Sequence, residues 1–276
     1  MAEGNHLFPS RTQSLSPPAP MVLQFSLWES RTLPGFFLWE ARVIERIIRW
    51  IQKKTNQAGK RGVVFGLSGG IDSAVVAVLC KKAFADNNLA LILPIESNPE
   101  DISHAMKIVN QYKIKFKSID LSSNYHELLS KFGQTNNKMA NNNLKPRLRM
   151  LTLYYFAQIK DYLVVGTGNR SEIYLGYYTK YGDGGVDILP LGNILKKDVV
   201  KIAKYLNIPN EIITKPPSAG LWNNQTDEND LGFTYDQLDT FLETGKMSNQ
   251  MIKKKIINMH QSSSHKRERP PMTDHN

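Results

Sequence analysis

The chain has 276 residues, of which 41% are apolar, with a formal net charge of +10 and a single cysteine. That length suits one large domain, or one domain with an appendage, and no run approaches the roughly 20 apolar residues needed to span a bilayer. The lone Cys80 excludes an internal disulfide and a zinc site built from several cysteines. It fits a reducing cytosol, so a cytoplasmic location is expected. The basic balance suits nucleic acid, a pocket for polyanionic small molecules, or a basic surface with no specific partner. Lys and Arg are spread along the chain, with only short clusters such as Lys196-Lys197 and Lys253-Lys254-Lys255. Neither a nucleic acid nor a membrane partner is therefore expected.

Residues 1–39 differ from the rest. They hold Pro9, Pro17, Pro18, Pro20 and Pro34 and few periodic apolar positions, the composition of an extension that is largely disordered. Its aromatic residues between 22 and 39 also allow packing on the body or on a partner chain. The remainder, 40–276, reads as one domain. Val43, Ile44, Ile47, Ile48 and Ile51 recur at spacings of three and four, predicting a helix from Glu40. A loop over 56–61 leads to a short buried strand at Val63–Phe65. A helix is predicted over 72–85, a strand over 89–95, a helix over 100–111 and a strand over 114–119. The asparagine-rich stretch 136–143 reads as a polar, mobile loop. A helix at 148–159, a strand at 162–165 and a helix at 196–206 follow, the last stopped by Asn207 and Pro209. Strands alternating with helices predict an α/β fold: a parallel sheet with helices on both faces.

The stretch VVFGLSGGIDSAVVAVLC, 63–80, carries the chemistry. A strand that runs into a glycine-rich turn and then a helix makes an anion site, because turn N–H groups and the helix N-terminus point at the ligand. Gly69 and Gly70 let the backbone approach a phosphate, and Ser68 and Ser73 add hydroxyls. Asp72 would repel phosphate unless a divalent cation lay between them, and a carboxylate with phosphate oxygens is a usual Mg²⁺ shell. The turn lacks the Gly-Lys-Ser/Thr ending of the ordinary nucleoside triphosphate loop. It resembles the Ser-Gly-Gly-x-Asp-Ser loop of the ATP pyrophosphatases, which cleave ATP between its α and β phosphates to adenylate a substrate.

Two further stretches narrow the resemblance. GTGNRSEIYLGYYTKYGDGGVDILPLG, 166–192, and KPPSAGLWNNQTDENDLGF, 215–233, with the terminal HKRERPP, resemble the ammonia-dependent NAD⁺ synthetases over roughly 40–271. The resemblance implies an adenine nucleotide alpha hydrolase-like fold of the ATP pyrophosphatase type. It also implies a ligase that amidates deamido-NAD⁺ to NAD⁺, the final step of NAD⁺ biosynthesis. The nicotinate carboxylate would be adenylated and then attacked by ammonia, releasing PPi and AMP. ATP would be co-substrate, Mg²⁺ the cofactor and a homodimer the assembly.

By the same resemblance, Gly66, Leu67, Ser68, Gly69, Gly70, Ile71, Asp72 and Ser73 would hold ATP, together with Thr167, Lys196 and Ser218. Asp72 and Glu172 would hold the metal, and with Lys196 would form the catalytic set. Arg147, or its neighbour Arg149, would contact deamido-NAD⁺, as would Lys180, Asp187, His265 and Lys266. The residues alone also allow plainer readings: Thr167 as a helix cap, Lys180 and Asp187 as parts of a tight turn, and HKRERPP as a basic tail. The acidic loop holding Glu96, Asn98, Glu100 and Asp101 follows a strand end but carries no assigned role. The interval between Phe233 and His265 is shorter than the family's usual helical stretch. Glutamine-dependent relatives carry an amidase domain with a cysteine nucleophile; about 40 residues before the body are too few for one, so free or delivered ammonia is the expected nitrogen source. A tRNA-modifying enzyme shares the loop and would explain the charge, but such proteins commonly use several cysteines. A non-enzymatic nucleotide binder is opposed by the presence of Asp72, Glu172 and Lys196 together.

Overall fold

The structure, a computed structural model, describes residues 38–133, 135–220, 222 and 225–273. The expected extension therefore lies outside the described residues up to 37, and Leu38 and Trp39 open the first helix.

The described residues begin with α1 (Leu38–Gln57), which feeds β1 (Gly62–Gly66), α2 (Ile71–Ala83), β2 (Asn88–Ile92), α3 (Pro99–Tyr112) and β3 (Phe116–Ser118). Then come α4 (Ser122–Phe132), α5 (Lys138–Asn142), α6 (Leu144–Lys160), β4 (Tyr162–Val165) and α7 (Arg170–Leu175). The remaining helices are α8 (Lys196–Tyr205), α9 (Asn210–Ile213), α10 (Asp227–Leu231), α11 (Tyr235–Thr244), α12 (Gln250–Ser262) and α13 (Ser264–Arg267). Among the described residues the sheet runs β3-β2-β1-β4, every pair parallel, with Val64 opposite Leu89 on one side and Val164 on the other.

Val63, Val64 and Phe65 are fully buried, because helices cover both faces of a parallel sheet and leave no solvent side. Full burial of the Phe65 ring contributes about 1.5–3 kcal/mol. Phe65 joins the core of one face with α1, α2, α3 and α8. Val64 and Val164 join the core of the other, under Leu153 and Ala157 of α6 and Tyr125 of α4. The apolar run of α2 is buried all round, from Ser73 to Cys80, since α1, α3, α8 and the sheet enclose it. A third core, Leu175, Leu231, Phe233, Tyr235, Leu238 and Ile256, unites α7 with α10, α11 and α12.

The asparagine-rich segment departs from expectation. Asn137 Oδ1 accepts from Ala140 N–H at 3.1 Å and caps α5, and α6 begins at Leu144 rather than 148. Pro146 is tolerated in the first turn of α6, where its missing N–H would have had no helical partner. The predicted strands at 89–95 and 114–119 shorten to β2 and β3, and α4 follows where no element was predicted.

The order of strands fixes where a ligand can sit. From β1 the chain steps outward to β2 and β3, then returns to the other side of β1 as β4. The carboxyl ends of β1 and β4 therefore flank a topological switch point, the crevice where open parallel sheets bind ligands.

Cys80 is fully buried, and burial pushes its thiol well above the ordinary range. A thiol reagent should leave the native chain unmodified over the time in which it labels the denatured chain completely. Rapid labelling under native conditions would contradict this packing.

Candidate active site

The turn after β1 folds on its own hydroxyls. Ser68 N–H donates to Ser73 Oγ at 3.2 Å, Gly70 N–H to Ser68 Oγ at 3.3 Å, and Ser73 Oγ–H to the Gly70 carbonyl at 2.9 Å. Gly69 has φ +86°, and a Cβ there would lie 2.2 Å from the Asp101 carbonyl at the start of α3. Only glycine meets both demands. Gly70 precedes α2 with no side-chain cap, so the first N–H groups of this 13-residue helix are left to the crevice.

The turn after β4 lies across the switch point. Asn169 caps α7 in a reciprocal box: its Oδ1 accepts from Glu172 N–H at 3.0 Å, and Glu172 Oε2 accepts from Asn169 N–H at 3.2 Å. Thr167 is half-buried and is not the cap, so that plainer reading of it falls away. Asn169 also donates through Nδ2 to Asp72 Oδ1 at 2.9 Å. It joins the two turns directly.

Lys196, first residue of α8, completes the cluster. Its Nζ donates to Asp72 Oδ2 and lies 3.3 Å from Glu172 Oε1. Asp72, Glu172 and Lys196, the three residues expected to act together, thus meet from α2, α7 and α8. Burial first, and then the Asp72 charge, push the Glu172 carboxyl up to about 8, while Lys196 pulls it back. Burial would lower the Lys196 ammonium, but Asp72 and Glu172 outweigh it and hold the ammonium above its ordinary value. Two residues outside the predicted set stand beside it. Tyr235 places its ring centroid 5.3 Å from Lys196 Nζ, and its hydroxyl donates to the buried Asp227 at 3.0 Å.

Of the two arginines, Arg149 turns inward and donates through Nε to the Leu93 carbonyl at 2.9 Å. Arg147 stays exposed, its guanidinium 3.4 Å from the Lys180 carbonyl. Lys180 Nζ in turn donates to the His265 carbonyl. Arg147, Lys180 and His265 therefore share one rim. Lys266 and Asp187 are committed to the main chain. Lys266 Nζ donates to the carbonyls of Gly176 and Tyr178, both at 2.7 Å. The Asp187 carboxylate accepts from Val164 N–H at 2.8 Å and from the Tyr154 hydroxyl at 3.0 Å, on the outer edge of β4. Ser218 is exposed on the 214–220 segment and accepts from Gly220 N–H at 3.1 Å. Lys215 fastens that segment to Asp101.

The acidic loop that carried no assigned role has structural ones. Asn98 caps α3, and Glu96, at φ +50°, pairs with His126 and Lys145, each at 3.0 Å. Asn169 is the residue the motif reading missed. Its signal was present as Asn-x-x-Glu directly after the β4 glycines, the form of a capping box.

A glycine turn, two carboxylates and a lysine at the switch point of a parallel sheet define a nucleotide-dependent enzyme of the adenine nucleotide alpha hydrolase-like fold. The family model described as NAD synthase matches residues 43–270. The NH(3)-dependent NAD(+) synthetase of Finegoldia magna is 48% identical over 225 residues, 81% of this chain and 92% of that protein. Among solved structures, NMN synthetase from Francisella tularensis superposes with a TM-score of 0.82 at 37% identity, covering 86% of this chain and 99% of that one. The NH3-dependent NAD synthetase of Campylobacter jejuni gives 0.72 at 30%, covering 85% and 99%. The chain belongs to the NAD synthase family, and it is a ligase.

Replacing Gly69 by Ala should destabilise the fold by about 1–3 kcal/mol from the left-handed backbone alone, with the contact to the Asp101 carbonyl added. Denaturant unfolding measures it, and an unchanged midpoint would contradict this geometry.

Proposed function

We propose that this chain amidates deamido-NAD⁺ with ammonia at the expense of ATP. The nicotinate carboxylate oxygen attacks the α-phosphorus of ATP and the bond to pyrophosphate breaks. The nitrogen lone pair of ammonia then attacks the acyl carbon, the bond to AMP breaks, and the nitrogen releases a proton. The observation that carries this reading is the meeting of Asp72 and Glu172 on one ammonium at the mouth of the glycine turn.

That pair fits a hard divalent cation, since both offer carboxylate oxygens already gathered around a positive charge. Asp72 and Glu172 would hold Mg²⁺, which would supply neutralisation of phosphate charge when bound. Lys196, released from one or both carboxylates, turns its ammonium to the phosphates. Gly69 and the start of α2 offer N–H groups to the same anion. Ser68, Thr167 and Ser218 add hydroxyls, while the Ser73 hydroxyl holds the turn through the Gly70 carbonyl. Arg147, Lys180 and His265 at the rim suit the anionic dinucleotide, with Arg147 rather than Arg149 free to fork onto phosphate. Lys266 and Asp187 shape that rim through the main chain they hold.

A second acceptor is favoured by one likeness. The Francisella tularensis relative is an NMN synthetase, which makes nicotinate mononucleotide the alternative carboxylate. Both acceptors bring the same reacting group to the same turn and differ in how far they extend along the rim.

The assembly is proposed on the surface of α6. Leu151, Tyr155 and Ile159 lie four residues apart and are 64%, 63% and 54% exposed, an apolar stripe on the face opposite the buried Leu153 and Ala157. This stripe supports the homodimer, since contiguous exposed apolar surface marks an interface.

The deciding assay supplies ATP, Mg²⁺ and either acceptor, with ammonium and glutamine as separate nitrogen donors. Amidated product with ammonium alone, matched by AMP and PPi, is the expected result; pyrophosphate release that needs no nicotinate acceptor would refute it. Asp72→Ala should lower turnover roughly 10²- to 10³-fold, the scale of losing one preorganised stabilising group. In sedimentation, the wild type should run as a dimer and the Leu151→Asp/Tyr155→Asp double variant as a monomer. A monomeric wild type would remove the stripe's assignment.

A further inference from the structure

The helix that carries Lys196 has no cap of its own. Leu195 stands at the N-cap of α8 and its side chain accepts nothing, so the first N–H groups of α8 must find acceptors elsewhere. They find them on two other helices. Lys196 N–H donates to Ser171 Oγ at 3.1 Å, and Lys197 N–H donates to Asp239 Oδ2 at 2.8 Å. The circuit closes where Ser171 Oγ–H donates to Asp239 Oδ1. Ser171 and Asp239 are both fully buried.

Asp239 belongs to α11, which packs against both α7 and α8. Its carboxylate therefore ties together the starts of the two helices that bear Glu172 and Lys196. Ser171 directly precedes Glu172, and the second oxygen of Asp239 holds the residue directly after Lys196. A negative charge at this place also complements the N-terminal dipole of α8. A buried carboxylate is expensive unless it is hydrogen-bonded, and both oxygens of Asp239 accept bonds from the elements that position the cluster. An apolar residue here would fill the same space at lower desolvation cost, so packing alone does not explain an acid.

We propose that Asp239 is a positioning residue of the reaction: through Ser171 and the Lys197 amide it sets Lys196 against Asp72 and Glu172 without touching substrate. This role presupposes that Lys196 serves the ATP phosphates, as proposed above. The Lys196 ammonium sits at the end of a flexible stem, and its reach is decided by where that stem starts. A shift of about 1 Å in such a group is enough to lower turnover by roughly a hundredfold.

The test compares wild type with Asp239→Asn and Ser171→Ala, each alone and in combination with Lys196→Arg, under saturating ATP and ammonium. Asp239→Asn should lower kcat by roughly ten- to a hundredfold, with the KM for the nicotinate acceptor within about threefold, because the rim residues are untouched. Ser171→Ala removes one leg of the circuit and should give a smaller loss; it decides the matter if Asp239→Asn does not fold. In the Lys196→Arg background, either second substitution should add little further loss, since residues that act as a unit are not additive. A multiplicative loss in the double variants, or a wild-type kcat in folded Asp239→Asn, would overturn the role. Amide hydrogen exchange at Lys196 and Lys197 gives a readout free of activity. Faster exchange confined to those amides in Asp239→Asn is expected, and unchanged protection would count against Asp239. An inactive wild type with this exchange pattern intact would instead place the failure on the reaction proposed above.

Discussion

The structure depends on one buried charge cluster, the Lys196 ammonium held between Asp72 and Glu172. Their side chains are 7%, 16% and 18% exposed, so none is left to bulk water for compensation. Removing one member would leave the others uncompensated, a loss of about 3–5 kcal/mol for a buried pair. Replacing all of them by apolar residues would be close to neutral for stability. The cluster is therefore poorly explained as a device for holding the fold. The proposed use of Asp72 and Glu172 as holders of a divalent cation, with Lys196 serving the phosphates, explains it better.

Keeping that charge in place requires backbone that is rigid where it changes direction. The three members come from helices that start at the carboxyl ends of β1 and β4 or pack beside them. Each start is held differently. The α2 turn folds on Ser68 and Ser73, α7 is closed by its own Asn169–Glu172 box, and α8 borrows acceptors from Ser171 and Asp239. Asn169 links the first two through Asp72. The parallel sheet contributes the spacing between the turns, since Phe65 and Val165 are the last pair in register at the carboxyl ends of β1 and β4.

What could be read from the chain follows the range of the interactions concerned. The turn at 66–73 was legible because its chemistry is local: hydroxyls, glycines and one acid within eight residues. Helices α1 and α2 and strands β1 and β4 were legible through apolar runs and spacing. The asparagine-rich segment misled because composition speaks of solvent while capping speaks of helix, and Asn137 caps α5 where the composition suggested a loop. Asp239 was not legible at all. Its partners lie 68 and 42 residues away, and in the sequence it is one more acid on an amphipathic helix. Arg147 and Arg149 could not be separated by spacing, because two residues along a helix is a turn of some 200°, and only the packing of α6 on the sheet shows which one faces inward.

The interval between Phe233 and His265 brings the basic C-terminal motif back onto α7. α11 and α12 fill it and build the third core with Leu175 and Ile256. The chain then returns to α7 from the far side. Arg267 donates to the carbonyls of Ile173 and Tyr174, and Lys266 to those of Gly176 and Tyr178. A Cβ on Gly176 would lie 2.2 Å from the Ser263 Cβ, so this approach needs a glycine there. These donors satisfy carbonyls at and beyond the C-terminal end of α7 and place positive charge where the helix dipole favours it. Helix α7 is six residues long, too short to be stable alone. It is held by Ser171–Asp239 at one end and by the basic C-terminal motif at the other, with Glu172 between them. The C-terminal basic residues thus clamp the helix that carries Glu172.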